Sequence, residues 1–422
     1  MSYPLDGIRI VDLTVVWSGP GGTTLLGDLG AEVIRPEGVR RMARQVSAKA
    51  AAQVAGREYA FRAFPDGDPG QRPYDRSAIF NWHARNKLSV AMSLEEPEGH
   101  QAFLRLIERS DVFIENNSKS VLPKLGIDYD MLATVNPRLI VVRMPPLGLT
   151  GPMSDYLGYG PNFNSLVGIQ AMDGYEGGDP TTAGDNYHMD EAAPAGLAFA
   201  VMAALWDRER TGRGQLIEFP QAENVMQEIG EYVLDYQMNK RIPAPMGNSD
   251  PVMLQDVLPT GEPDVWVAIS IRDDRDWAAL EKATGPQDWL AAGRTASQRQ
   301  RDAAELKAAL AEFTSTLSPG EIVARLQAAG IPAGEVMSET RLLADSHLAA
   351  RNWFQTRTHP SVGTYPYPGH PWRATGLDLA WGRPLPGFGQ DNEYVYKQIL
   401  GYTDDQYDDL VAQGLIGDAQ VA

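Results

Sequence analysis

The fold is read from one stretch near the start: Ile8-Arg9-Ile10-Val11-Asp12-Leu13, then Ser18-Gly19-Pro20-Gly21-Gly22, then Ala31-Glu32-Val33-Ile34. The first six residues are a short, β-branched apolar run, and the glycine-rich five supply turn chemistry. Residues 23–29 open a helical pattern, and the last four read as a second strand. Strand, glycine turn, helix and strand make one βαβ unit of a parallel sheet. The rhythm returns downstream, with strands over 87–92, 111–115 and 139–144 and an amphipathic helix over 97–109. An open α/β sheet therefore occupies about the first 150 residues.

Beyond it the pattern predicts a helix over 191–210, a strand over 215–219 and a helix over 223–236. Arg241-Ile242-Pro243-Ala244-Pro245-Met246-Gly247-Asn248 then breaks periodicity as an interdomain linker would. A strand over 266–271 and helices over 275–284, 299–313 and 319–329 suggest a smaller domain. From Ile331-Pro332-Ala333-Gly334 onward the chain is rich in Pro, Gly and aromatics, up to a short helix over 404–413. The expected organisation is a large α/β domain over 1–225, a small domain over 236–330, and a segment 331–422 returning to the large one. Residues 40–57 are Ala-rich and carry Arg40, Arg41, Arg44, Lys49 and Arg57, which reads as an inserted helix with a solvated basic face. The alternative reading is a phosphate-binding patch.

Composition removes several classes of function. Of the 422 residues, 43% are hydrophobic and 22% charged, the balance of an ordinary globular enzyme and not of a disordered chain. The net charge of −18 repels phosphate backbones, so nucleic acid is not expected as a partner. With no cysteine, thiol nucleophiles, thiolate metal sites and iron–sulfur clusters are excluded. Residues 1–6 show neither a basic nor an apolar leader region. The longest apolar run, 192–206, is shorter than the ~18 residues a membrane span needs, so the expectation is a cytoplasmic protein without membrane contact. The six histidines are scattered, and no metal is expected.

Gly19-Pro20-Gly21 after a strand, with Glu37 18 residues past Gly19, invites a dinucleotide reading. It fails at Thr24, where the third glycine of the fingerprint would stand. No nucleophile elbow, zinc-binding His pair or phosphate-binding loop motif is present. One acid is better placed. Asp190 stands just before the apolar helix, with Pro194 in the expected first turn. A helix N-terminus favours the ionised carboxylate. Such a group can attack a thioester while nearby N–H groups stabilise the oxyanion, but the same position suits a structural N-cap.

Pro4-Leu5-Asp6-Gly7-Ile8-Arg9-Ile10-Val11-Asp12-Leu13, Gly19-Pro20 and Leu29-Gly30-Ala31-Glu32-Val33-Ile34 resemble the opening of class III coenzyme A-transferases, the CaiB/BaiF superfamily. Asn86-Lys87-Leu88-Ser89-Val90, Asp111 to Asn116, Leu125-Gly126 and Asn136 to Ile140 look like successive blocks of that family. The signature Arg208-Glu209-Arg210-Thr211-Gly212-Arg213-Gly214-Gln215 follows, then Gly330 to Gly334, Asp345 to Leu348 and Gly389 to Asn392. The similarity runs in order from residue 4 to about 415.

This resemblance implies a Rossmann-like open parallel sheet, a smaller α/β domain and an interlocked homodimer. It implies transfer of CoA from an acyl-CoA to a free carboxylic acid, with CoA as substrate and no permanent cofactor. The family's catalytic carboxylate lies 21 residues before the signature threonine, which lands on Asp190. Val16 and Trp17 match a loop lying against CoA and the acyl group. Asn116, Asn117 and Lys124 match CoA contacts, with Lys124 in place of a commoner arginine. A base-stacking arginine after Glu37 is missing, since residue 38 is Gly38, and Arg40 or Arg41 is its substitute. Tyr159 and Gly160 belong to a segment resembling the substrate-facing loop. Trp17 replaces the glutamine of formyl-CoA:oxalate enzymes, which disfavours oxalate and suits a larger, less polar acyl group, plain packing being the other reading. Two alternatives stay open: an α-methylacyl-CoA racemase-like enzyme, in which His188 would supply a base, and a non-catalytic binder of CoA esters.

Overall fold

The structure, a computed structural model, describes residues 3–40, 44, 63–179, 181, 187–379 and 382–420. The chain forms two compact units. The larger comprises Met1–Val167, Asp185–Leu234 and Asn352–Ala422, and the smaller Gly168–Gly184 and Asp235–Arg351.

The larger unit is built on a six-stranded parallel sheet: β1 (Arg9–Leu13), β2 (Glu32–Glu37), β3 (Lys87–Ala91), β4 (Val112–Glu115), β5 (Ile140–Arg143) and β6 (Gln215–Glu218), in the order β3-β2-β1-β4-β5-β6. Central parallel strands are covered on both faces, which is why Val112–Ile114 and Ile140–Val142 read as continuous apolar runs, whereas the edge strand β6 alternates. Val11, Ile34, Phe113 and Val141 point to one side, against Phe103 and Leu106 of the helix Pro97–Glu108 and against Val395 and Ile399 from the chain's end. Ile10, Val33, Val112, Ile114 and Ile140 point to the other, against Leu26, Leu197 and Val201.

Two helices on that second face differ from expectation. The first, α1 (Ser18–Asp28), begins inside the glycine-rich stretch expected to be a turn. The reason is packing. A Cβ at Gly19 would lie 2.6 Å from Thr14 Cβ, at Gly21 2.9 Å from Pro194 Cγ, and at Gly22 2.5 Å from Leu197 Cδ2. The glycines let α1 press against the long helix α2 (His188–Thr211), outweighing about 1 kcal/mol of helix propensity lost at each. α2 in turn starts earlier than expected, so Asp190 sits within its first turn and not ahead of it. Pro194 inside α2 withholds the N–H that the Asp190 carbonyl would otherwise accept. Gly212 closes the helix in the left-handed conformation at φ 72°.

In the smaller unit, β7 (Leu254–Pro259), β8 (Trp266–Ile271) and β9 (Ala333–Glu335) form an antiparallel sheet. The helices Asp274–Thr284, Ala303–Thr314 and Pro319–Ala328 accompany it, with Val267, Ile269, Trp277, Leu310 and Leu326 in the core. This unit runs past the expected limit of 330, because β9 pairs with β8 through Val267↔Glu335 and keeps the chain there until Arg351. The return segment, expected to be irregular, includes the hairpin Phe354–His359 with Gly363–Pro368. No helix among the described residues is long and apolar enough to cross a membrane. Of the expected helix over 40–57, only Arg40 and Arg44 fall within the described residues, while Arg41, Lys49 and Arg57 lie outside them.

Candidate active site

Sheet order reverses between β1 and β4, and in open α/β sheets the crevice outside the carboxyl ends of strands at that point is where ligands sit. Here the crevice floor is a loop held from the neighbouring strand. Asn116, just past β4, accepts from the Val15 N–H through Oδ1 (2.7 Å) and donates to the Val15 carbonyl through Nδ2 (2.9 Å). Asn117 donates from Nδ2 to the Leu13 carbonyl (3.0 Å). Between this clamp and α1, Val16 adopts φ 67°, a rare state for a β-branched residue. Strain of this kind persists only where surroundings enforce it, and it gathers at functional sites.

The Asp190 carboxylate closes one wall of this crevice. Its approach to Gly160 is so close that a Cβ there would stand 1.9 Å from Asp190 Oδ2, so a side chain at 160 would displace the carboxylate. Gly160 is the first residue of the helix Gly160–Leu166, introduced by Tyr159 and followed by Pro161. Asp190 is 9% exposed. Burial first, and the neighbouring Glu191 charge second, push its carboxyl up to about 6, against the pull of the Ser18 hydroxyl. This corrects the expectation that the helix N-terminus would favour the ionised form: desolvation outweighs the dipole. Near neutral pH the group is an ionised but unusually basic carboxylate. Ser18 Oγ also lies 2.6 Å from Gln221 Oε1, so Asp190 and Gln221 share one hydroxyl proton, and Gln221 Nε2 is anchored on the Met144 carbonyl (2.9 Å).

A cavity of about 610 Å³ opens at this point, and the structure brings Val16, Asn116, Asn117, Tyr159, Gly160 and Asp190 together around it. A second hollow of about 310 Å³, lined by Glu37, Gly38, Met92, Glu95 and Leu125, shares Val15, Asn117 and Val121 with the first. The two hollows adjoin along these three residues, near the strand ends.

The other expected site residues are placed differently. Trp17 does not line the cavity; its ring stacks on Tyr187 (5.5 Å, 14°) and lies against Trp82 (5.7 Å). Lys124 is exposed at the end of the short helix Val121–Lys124, outside both hollows. Arg40 is exposed and lies 3.5 Å from Glu96. Arg44, expected on a basic surface, is buried and pairs with Glu37 (2.8 Å) and Asp75. Glu37 is thereby engaged by Arg44 and Ser89, which removes it as a ribose acceptor. The amides of Asn116 and Asn117 shape the loop, whatever else they touch. His188 Nδ1 faces Glu228 at 3.9 Å, and residues two apart on a helix project about 200° apart, so it does not share Asp190's face.

Sequence reasoning missed Ser18, Gln221, Leu157, Phe163 and Met189 in the cavity wall. Gln221 carried a usable signal, as the first residue of a helix directly after a strand of the sheet. Beneath the loop, Asp12 is held by Lys87 (3.1 Å) and Arg35 (3.1 Å), and Lys87 also donates to the Pro20 carbonyl (2.7 Å), tying α1 to the sheet. Among the described residues no group of three or more His, Cys, Asp or Glu could hold a metal ion.

Comparison with known proteins gives this geometry a context. A probable CoA-transferase of Mycobacterium tuberculosis is 30% identical over 420 residues, which cover 97% of this chain and 50% of that protein. The chain thus spans about half the length of that relative. The beta subunit of a succinyl-CoA–L-malate CoA-transferase of Chloroflexus aurantiacus is 30% identical over 424 residues, 98% of each chain. The crystal structure of a CaiB/BaiF family protein from Brucella suis superposes with a TM-score of 0.80 at 26% identity, covering 94% of this chain and 100% of that one. The family model described as CoA-transferase family III matches residues 5–392, a span that takes in the strand ends, the clamped loop and the helix carrying Asp190. The chain therefore belongs to CoA-transferase family III, a family of enzymes.

Proposed function

We propose that this enzyme moves CoA from an acyl-CoA to a free carboxylic acid, with Asp190 as the covalent carrier. The observation that carries the reading is a buried carboxylate, raised to about 6, facing a cavity at the switch point of the sheet. The two adjoining hollows near the strand ends suit an extended thioester, its acyl end beside Asp190. Asp190 attacks the thioester carbonyl, the carbon–sulfur bond breaks, and CoA leaves as thiolate with an aspartyl anhydride behind it. The thiolate then attacks the aspartyl carbonyl, releasing the first acid and leaving an aspartyl-CoA thioester. The acceptor carboxylate displaces CoA to form a second anhydride, and the thiolate takes the acceptor acyl group, restoring Asp190. Each step exchanges one acyl bond for another, so nothing is oxidised and the difficult displacement is divided.

The raised basicity of Asp190 strengthens it as a nucleophile while keeping it ionised above about pH 6. A racemase would need a second base near the α-carbon. The loop Gly158-Tyr159-Gly160 has no histidine, and His188 lies toward Glu228. Replacing Asp190 with Ala is expected to lower turnover on the order of 10³-fold or more and to abolish the hydroxylamine-sensitive adduct formed with acyl-CoA, with the fold retained. Transfer near the wild-type rate in that variant rejects the assignment. A binder of CoA esters without activity would hold ligand and form no adduct. The working form we propose is a homodimer.

A further inference from the structure

Asp190 shares its wall of the cavity with two polar side chains that the reaction outlined above leaves unused. Where α1 meets α2, Gly21 faces Pro194 and Gly22 faces Leu197, and one turn earlier in both helices the same seam brings Ser18 against Asp190. Gln221 arrives from the start of the helix Gln221–Met226. Ser18 and Gln221 are 2% and 4% exposed, so their pairing is closed within one chain.

The hydrogen bonds fix which atom faces which. The Met144 carbonyl can only accept, so the Gln221 amide turns Nε2 to it (2.9 Å) and Oε1 to Ser18 (2.6 Å). An amide oxygen cannot donate, so the bond between the two side chains uses the Ser18 proton. The Asp190 carboxylate draws on that same proton. A hydroxyl rotates about its Cβ–Oγ bond and can point its proton at either acceptor. While Asp190 is ionised, the charge-assisted bond to it is the stronger. Once Asp190 is protonated or acylated, that charge is gone and Oε1 is the better acceptor.

Deepening the transfer reading above, on which it rests, we infer that Gln221 is a positioning residue for the Ser18 hydroxyl: it takes the Ser18 proton while Asp190 carries an acyl group, and yields it when negative charge returns to an Asp190 oxygen. Charge leaves Asp190 as it attacks the thioester, and returns as an oxyanion when the thiolate attacks the aspartyl carbonyl. Only the hydroxyl rotates between these stages; its O–H bond stays intact and no proton changes owner. Turning to Asp190 leaves Oε1 unpaired, so the hydroxyl stabilises the resting carboxylate less than it would alone, and the nucleophile keeps its reactivity. Burial and Glu191 raise the basicity of Asp190, and Gln221 preserves that gain by competing for the proton that lowers it.

Titration and exchange together test this. Full-length protein carrying ¹³C at its aspartate side-chain carboxyls is titrated by NMR, the Asp190 signal being the one lost in Asp190→Asn. Ser18→Ala removes a donor to the charged form, and the Asp190 midpoint is expected to rise from about 6 by roughly half a pH unit or more. Gln221→Met removes the competing acceptor, and the midpoint is expected to fall by a similar amount; Gln221→Leu serves if that variant does not fold. In a Ser18→Ala background the substitution at 221 is expected to move nothing further, since it acts only through the hydroxyl. Midpoints that stay put or move the same way, or effects that add, overturn the inference. For the reaction, acetyl-, butyryl- and succinyl-CoA are each incubated with the matching ¹³C-labelled acid at pH 8, well above the midpoint. Label entering the CoA ester is expected to slow at least about tenfold in Ser18→Ala. Exchange within about twofold of wild type in that variant overturns the oxyanion role and leaves transfer by Asp190 standing. No exchange by the wild type with any of the three removes the transfer reading and the oxyanion role with it, a failure that the NMR midpoints, which need no substrate, keep separate.

Discussion

Asp190 is held at a cost that its pH dependence exposes. Its carboxyl stands at about 6 in the folded chain against an ordinary value of 3.8, so the folded state binds that proton more tightly than the unfolded state does. The group is therefore least unfavourable below about pH 4, and stability is lost as pH rises from there through 6. Asp190→Asn removes the charge at nearly constant volume. It is expected to be more stable than wild type by roughly 1–3 kcal/mol at pH 7.5, with little difference at pH 4. Urea midpoints at the two pH values check this, and a variant equally or less stable at pH 7.5 contradicts it. Asp190 could be singled out from its distance to Thr211, but its environment could not. What raises its basicity is burial among segments remote in sequence and, second, the neighbouring Glu191 charge. Asn116 and Asn117 show the opposite limit. Their positions were legible, yet their side chains turn back onto Val15 and Leu13 to shape a loop, a geometry no local pattern announces.

At the scale of elements, the strands were readable because a parallel sheet buried on both faces demands continuous apolar runs. The α1 boundary was not, because glycine has two uses that look alike in sequence. Ser18-Gly19-Pro20-Gly21-Gly22 has the composition of a turn, but its glycines admit the side chains of Thr14, Pro194 and Leu197 into close contact with α1. The signature ending in Gly214-Gln215 is likewise structural. Arg208 pairs with Asp111 (2.9 Å), Gly212 ends α2, and a Cβ at Gly214 would stand 2.0 Å from the Leu139 carbonyl oxygen. These contacts fix the far end of the helix whose first turn presents Asp190. Two substitutions of one kind should consequently diverge. Gly22→Ala drives a methyl into fully buried Leu197 and is expected to cost about 1–3 kcal/mol and to lower turnover by shifting α2. Gly320→Ala, in the first turn of Pro319–Ala328 with nothing within 4 Å of the added methyl, is expected to gain about 0.5–1 kcal/mol and leave turnover unchanged. Calorimetry with a rate assay separates the two, and equal effects contradict the packing argument.

At the scale of the molecule, the strand order places β1 beside β4 and so puts a groove where the chain can offer both a clamped loop and a helix start. The surface beyond that groove is what a single chain leaves unexplained. On α2, Phe199, Met202 and Trp206 fall three and four residues apart, on one face, and are 71%, 38% and 72% exposed. Further along, Val233 and Leu234 are 48% and 58% exposed. Large apolar side chains gathered on one face of a helix that also carries Asp190 are the kind of surface a protein covers with another chain. We propose a second copy as that cover, consistent with the homodimer implied by family resemblance. Light scattering should then return about twice the 46.2 kDa of one chain. Replacing both Phe199 and Trp206 with Asp puts unpaired charge into the contact, and is expected to weaken association at least 100-fold, so that dilution to nanomolar concentration releases monomer where wild type stays paired. Both residues stand outside the cavity lining, so activity measured at concentrations that restore the dimer should return. A wild-type mass of one chain, or a double variant associating as tightly as wild type, would show that this face meets solvent or a different partner.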